Sequence, residues 1–176
     1  TSPLAGTVQT LELPGARWGL QMTFSGLDTD ERHQMMSFLT KCRGSGGRFY
    51  YGDPFYLIEG PRGTLGGTPL VAGASQTGAS LATDGWTADV TNVIRQGDYI
   101  QFDNSAGGRE LHLVTADANS DGSGAATLAI EPPIRVSPAD NAAITVTGAM
   151  CQMMLVDDEQ AGWSSRPGRY SDFEIN

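Results

Sequence analysis

Asp117, Asn119 and Asp121 place three oxygen-bearing side chains at alternate positions, with Gly122 next to the last of them. That is the first half of a calcium loop, in which oxygens at every second residue surround a hard cation. The pattern then lapses, because Leu128 stands where the bidentate Glu at the twelfth position belongs. Asp, Asn and Gly are equally what a hairpin turn selects. The plain turn is therefore the expected structure, and calcium at Asp117, Asn119 and Asp121 is the alternative. Two histidines are present. His33 falls on the polar side of a predicted helix, and His112 lies on the strand face opposite Leu111 and Leu113. Acyl-transfer chemistry would need one of them beside a Ser or Cys. No serine lies in a strand–elbow–helix context, so both histidines read as surface or packing residues. Asp157, Asp158 and Glu159 form an acidic run near Trp163. Paired acids beside an aromatic occur in glycoside hydrolases, but adjacent carboxylates more commonly form a solvated loop. Residues 63–67 are glycine-rich without the Gly-Lys-Ser/Thr of a phosphate loop. Cys42 and Cys151 fit neither a disulfide framework nor a zinc spacing, and Cys42 reads as a buried free thiol. The expectation is no catalytic residue, no cofactor and no enzyme.

Composition narrows the partners. The net charge is −9, with only 11 basic residues. Binding nucleic acid by phosphate neutralisation needs clustered Lys and Arg, and Arg43, Arg48 and Arg62 are the nearest approach to a cluster in the sequence. Sequence-specific nucleic-acid binding is not expected, although DNA could slide past an acidic surface. No stretch has the length of a membrane-spanning helix, and no basic-then-apolar leader opens the sequence. The expected place of synthesis is a cytoplasm.

The elements that must position these residues are mostly strands. Hydrophobic residues make up 39% of the 176, enough for a core, and 23 glycines favour turns over helices. Trp18, Leu20, Met22 and Phe24 alternate with Gly19, Gln21 and Thr23, the period of a half-buried strand. One helix is predicted over about 29–43. Asp28 is its N-cap, Glu31 completes a capping box, Met35, Phe38, Leu39 and Cys42 form one face, and Gly44 is the stop. Residues 48–51 and 55–58 read as aromatic strands around the turn Gly52-Asp53-Pro54. Residues 60–80 hold few large side chains and read either as a mobile linker or as an arm ordered by a neighbour. Short strands follow at 99–102, 111–115, 126–130 and 144–146. Residues 150–156 read as a central strand covered on both faces, with Met150, Met153 and Met154 in a core, and 170–175 as a last strand. The predicted fold class is mainly β. Residues 1–62 with 149–176 form a β-sandwich or barrel domain carrying the one helix, and 63–148 form an inserted small β-barrel or sandwich.

The succession Leu81-Ala82-Thr83-Asp84-Gly85-Trp86, Gly97-Asp98-Tyr99-Ile100-Gln101-Phe102, Leu113-Val114-Thr115-Ala116-Asp117 and then residues 126–135 resembles minor tail and baseplate-type proteins of long-tailed bacteriophages and prophages. The opening half, with Arg48-Phe49-Tyr50-Tyr51-Gly52-Asp53-Pro54, is similar to the N-terminal part of the same proteins, and the distal tail proteins are the closest group. The resemblance implies a structural protein of the virion tail. It would form a homo-oligomeric ring, usually a hexamer with a DNA channel, between the tail tube and hub proteins. It implies no catalytic residues. Other expectations are another virion part (tail completion or decoration), a host-surface carbohydrate-binding module stacking sugars on Trp86 and Tyr99, and a cell-wall hydrolase.

Overall fold

A computed structural model of the chain describes residues 15–156, 158, 163–165 and 171–175. Among them, ten strands against two α-helices make the fold mainly β, built around one curled five-stranded sheet. Helix α1 spans Thr29–Cys42. Its start follows from the capping box: Asp28 Oδ1 accepts from the amides of Asp30 and Glu31, both at 2.9 Å, and Glu31 Oε2 accepts from the Asp28 amide at 3.0 Å. The left-handed residue that ends it is Arg43, one position before the expected Gly44. Gly44 also has positive φ, and a Cβ there would lie 2.7 Å from Asp158 Cα, so a glycine is required. The predicted face packs inward. Leu39 and Cys42 are buried and Met35 and Phe38 are half-buried, against Met22, Phe24, Leu27, Phe49 and Leu155.

Strand β1 is Met22–Leu27, later than the alternation from Trp18 suggested. Trp18 lies outside it because its indole N–H donates to Leu111 O at 2.7 Å, tying the residue to a distant strand. β2 is Phe49–Tyr51. The expected strand at 55–58 is instead a helix, α2, Pro54–Glu59. Aromatic content pointed to β structure, but the local chemistry decides otherwise. Asp53 accepts from the Phe55 amide at 2.9 Å as N-cap, and Pro54 occupies the first turn, where its missing N–H costs nothing.

The curled sheet is β3 Gly67–Val71, β4 Gly78–Trp86, β5 Tyr99–Asp103, β6 Arg109–Val114 and β7 Ala126–Ile134, in the order β3-β4-β7-β6-β5 and antiparallel throughout. Its two edges are joined by residues 142–145. Val71 N donates to Ala142 O, Ile144 N to Pro69 O, and Gln101 and Thr145 exchange both backbone bonds at 2.8 Å. The sheet is thereby bridged from edge strand to edge strand into a barrel-like shape. Residues 144–146 are this bridge and not a strand of the ladder. Inside lie Val71, Leu81, Ile94, Ile100, Phe102, Val114, Leu128 and Ile130, almost wholly removed from solvent.

Residues 60–80 are neither linker nor arm. Gly63 N donates to Asp98, Thr64 N to Asn92 O and Leu65 N to Val93 O, after which the chain enters β3 and then β4. Their small side chains suit close approach: a Cβ on Gly67 would meet Gly85 O at 2.2 Å. The remaining strands pair with one another. β8 Cys151–Met153 joins β2, while β9 Trp163–Ser165 and β10 Ser171–Ile175 form a sheet with β1 in the order β1-β10-β9. The long central strand expected at 150–156 is thus three residues, and Met154 and Val156 beyond it are exposed. Tyr56, Tyr99, Leu111, Ala149 and Cys151 pack the barrel against α2 and β8.

Candidate functional site

The calcium-like run is a clamp on the neighbouring loop. Asp117 Oδ1 accepts from Gln96 N at 2.8 Å, and Asn119 Oδ1 from Asn92 N at 2.7 Å. Asp121 Oδ1 accepts from the Ser123 hydroxyl and from the amides of Ser123 and Ala125. The Ser123 hydroxyl, with those amides, holds the Asp121 carboxyl below the usual carboxylate range. The three oxygens are aimed at separate backbone donors and not at a common point, and no group of three His, Cys, Asp or Glu among the described residues could hold a metal. The turn is the better account.

Neither expected sugar platform offers a face. Trp86 is buried, its N–H donating to Thr83 Oγ1 at 2.8 Å. Tyr99 is held edge-on between Trp18 and Tyr56, at ring distances of 6.0 and 5.1 Å. Asp157 and Glu159 lie outside the described residues. Asp158 accepts from the amide and hydroxyl of Ser45, which fastens it to the end of α1. His33 is exposed on α1. Of the arginines that looked clustered in sequence, Arg43 ends the helix and Arg62 donates to Gln96 O.

A different constellation forms where β6 and β7 face β2 and β8. A cleft of about 680 Å³ opens there, and Arg17, Arg48, Arg109 and Arg135 all line it. Sequence inspection misses this set because its members come from four distant segments. Each is set by its own element. Arg48 Nη1 donates to Ser45 O at 2.8 Å and Gly47 O at 2.9 Å. Arg109 pairs with Asp103 at 3.3 Å and lies over the Tyr50 ring, 4.7 Å from its centroid. Arg135 Nη2 donates to Ala16 O at 3.2 Å.

At the base of the cleft sits His112, 2% exposed and stacked on Phe102 at 4.9 Å. Its Nδ1 is 2.6 Å from Pro132 O, a contact in which the nitrogen must donate. Its Nε2 is 3.3 Å from Glu110 Oε2, within ion-pair range but not aligned as a hydrogen bond. Asn104 Nδ2 donates to the other oxygen, Oε1, at 2.6 Å. Burial pushes the Glu110 carboxyl up, but the His112 contact, the Asn104 bond and the Arg135 charge outweigh it and hold the group below its ordinary value. Cys151 also lines the cleft. Burial, and then the Glu110 carboxylate, push its thiol up, away from the thiolate a nucleophile needs. With His112 Nδ1 on Pro132 O and Nε2 beside Glu110, the cleft brings together a buried imidazole, a carboxylate and four guanidinium groups.

No protein-family model matches the chain, and no curated protein matches it.

Proposed function

We propose that the chain is a non-enzymatic structural subunit of a long-tailed bacteriophage virion, a homo-oligomeric ring at the distal tail between tail tube and hub. The observation that carries assembly is the outer face of α2. Phe55 and Ile58 are 76% and 84% exposed, and Leu57 of the same helix is exposed as well. Large apolar groups grouped on one surface favour a protein partner, because leaving them in water forgoes the gain from burial. The barrel-like sheet supports a scaffold role, since its interior is filled by packed apolar side chains. The phage tail itself comes from the sequence resemblance, and the surface chemistry is compatible with it.

Purified virions labelled with an antibody to the chain test the reading. Label at the distal tail is expected, with recombinant protein assembling beyond the 18.6 kDa of one chain. Label on the capsid or along the shaft would move the chain to a decoration or completion role. Release of cell-wall fragments by the purified chain would overturn the non-enzymatic reading.

A further inference from the structure

We infer that the arginine-lined cleft receives the α2 knob of a second copy of this chain, a head-to-tail contact. The inference rests on the assembly reading and adds which surfaces meet. α2 sends Tyr56 inward, where its hydroxyl reaches Tyr99 O and Val146 O, both at 3.2 Å. Phe55 and Ile58, three residues apart on the helix and so neighbours on its surface, project outward. Carboxylates bracket them: Asp53 caps the first turn and Glu59 is the last helical residue. An apolar pair between two negative charges is matched by an apolar depression rimmed with cations.

The cleft has that character. Trp18, Phe49, Val136 and Met153 contribute apolar wall, and four arginines contribute charge, that of Arg109 shared with Asp103. Among the described residues Glu110 is the one carboxylate in the lining, and His112 and Asn104 already engage it. In a chain of net charge −9, four of the 11 basic residues converge on this one depression. Its volume lies inside the ordinary range for binding sites, about 300–1,000 Å³. No residue of α2 lines the cleft. Knob and cleft are therefore separate surfaces, and each subunit can give one knob and receive another. Contacts of that kind propagate from copy to copy, into a ring where the rotation between neighbours closes and into an open filament where it does not.

The test uses two double variants of the full chain. Phe55→Ser with Ile58→Asp spoils the knob, and Arg17→Glu with Arg135→Glu spoils the cleft. All four positions are exposed, so native circular dichroism and a cooperative melting transition are expected, lowered in the cleft variant by the loss of the Arg135 charge near Glu110. Ile58→Ser and Arg135→Gln serve the same ends if a double variant does not fold. By analytical ultracentrifugation, wild type should assemble and each variant should sediment as a single 18.6 kDa chain. An equimolar mixture should give a species of twice that mass and nothing larger, because only one intact knob–cleft contact remains per pair. Variants that assemble like wild type, or a mixture that stays monomeric while wild type assembles, would overturn this contact and leave the assembly reading standing. A wild-type chain that remains monomeric at every concentration would remove the assembly reading itself, and this contact with it.

Discussion

Asp98 is 1% exposed, and a carboxylate so buried needs several donors. It has three amides: Arg62 N at 2.8 Å on one oxygen, and Gly63 N at 3.0 Å and Arg95 N at 2.9 Å on the other. The side chain thereby fastens the chain entering the barrel to the loop before β5. Asp98→Ala would leave those amides unpaired, and a loss of about 3 kcal/mol in urea denaturation is expected. A loss below about 1 kcal/mol would mean that water replaces the carboxylate. Glu110 supplies a pH-dependent counterpart. Its folded-state value is lowered, so the ionised form favours the native protein. That contribution is present above the unfolded carboxylate range, near about 4.3. It is lost as pH falls through the lower folded value. Glu110→Gln should therefore flatten the acid limb of a plot of urea midpoint against pH, and an unchanged slope between neutral and acid pH would contradict the assignment. None of this site was legible in sequence. Asp98 lay unremarked within Gly97-Asp98-Tyr99, and His112 showed only that it opposed Leu111 and Leu113, not that Phe102, Pro132 and Glu110 would enclose it.

The two helices differ in how openly the sequence declares them. α1 carries both a capping box and four apolar residues at helical spacing, and two independent local signals agree on its place. α2 has six residues, too few for periodicity, and its Phe, Tyr, Leu and Ile resemble a strand. Only the Asp53-Pro54 start marks it, and that pair also reads as a turn. The strand at 67–71 was hidden in the opposite way, since Gly, Thr and Pro at its start look like linker, while its ladder partners lie well downstream. Packing separates the helix faces energetically. Leu39 is 2% exposed, so Leu39→Ala should cost about 2–5 kcal/mol, whereas half-buried Phe38 should cost less than a fully buried aromatic. Equal losses at the two positions in chemical denaturation would place Phe38 deeper than the structure does. In α2, burial pushes the Tyr56 hydroxyl up to about 12 from 10.0. Its folded value is raised, so the stability it contributes is present below about pH 10 and lost as pH climbs toward 12. Burial also raises Tyr99, so phenolate absorbance in the native protein should show a late-titrating component that Tyr56→Phe reduces. A Tyr56→Phe chain that loses one tyrosine from the ordinary part of the titration, at about pH 10, and keeps the late component whole would show the hydroxyl to be solvated.

Across the whole molecule, the ends of the barrel segment converge. Gly63 N bonds Asp98 just before β5, and Met150 N bonds Gln101 Oε1 within it, so the chain arrives and leaves beside the same strand. All five ladder strands and the closing bridge at 142–145 lie between those points. Closure through that bridge was invisible in sequence because its partners, Pro69, Val71 and Gln101, lie on two strands that are remote from it along the chain. The geometry predicts that residues 61–149 fold alone. Such a fragment keeps the buried cluster from Val71 to Val146 intact and loses only the cover that α2, β8 and Trp18 place over Leu111 and Tyr99. Exposing one large apolar side chain costs about 1.5–3 kcal/mol, so the fragment should unfold cooperatively but at a lower urea midpoint than the full chain. Deleting 63–80 should act very differently. It removes β3 and the first residues of β4, takes Val71 from the core and leaves the 142–145 bridge without its partner on one side. The deletion should abolish the folded barrel, not merely weaken assembly. A soluble deletion chain with a native melting transition would show that residues 63–80 are dispensable to the barrel, and a fragment 61–149 without any cooperative transition would show that the barrel depends on the strands flanking it.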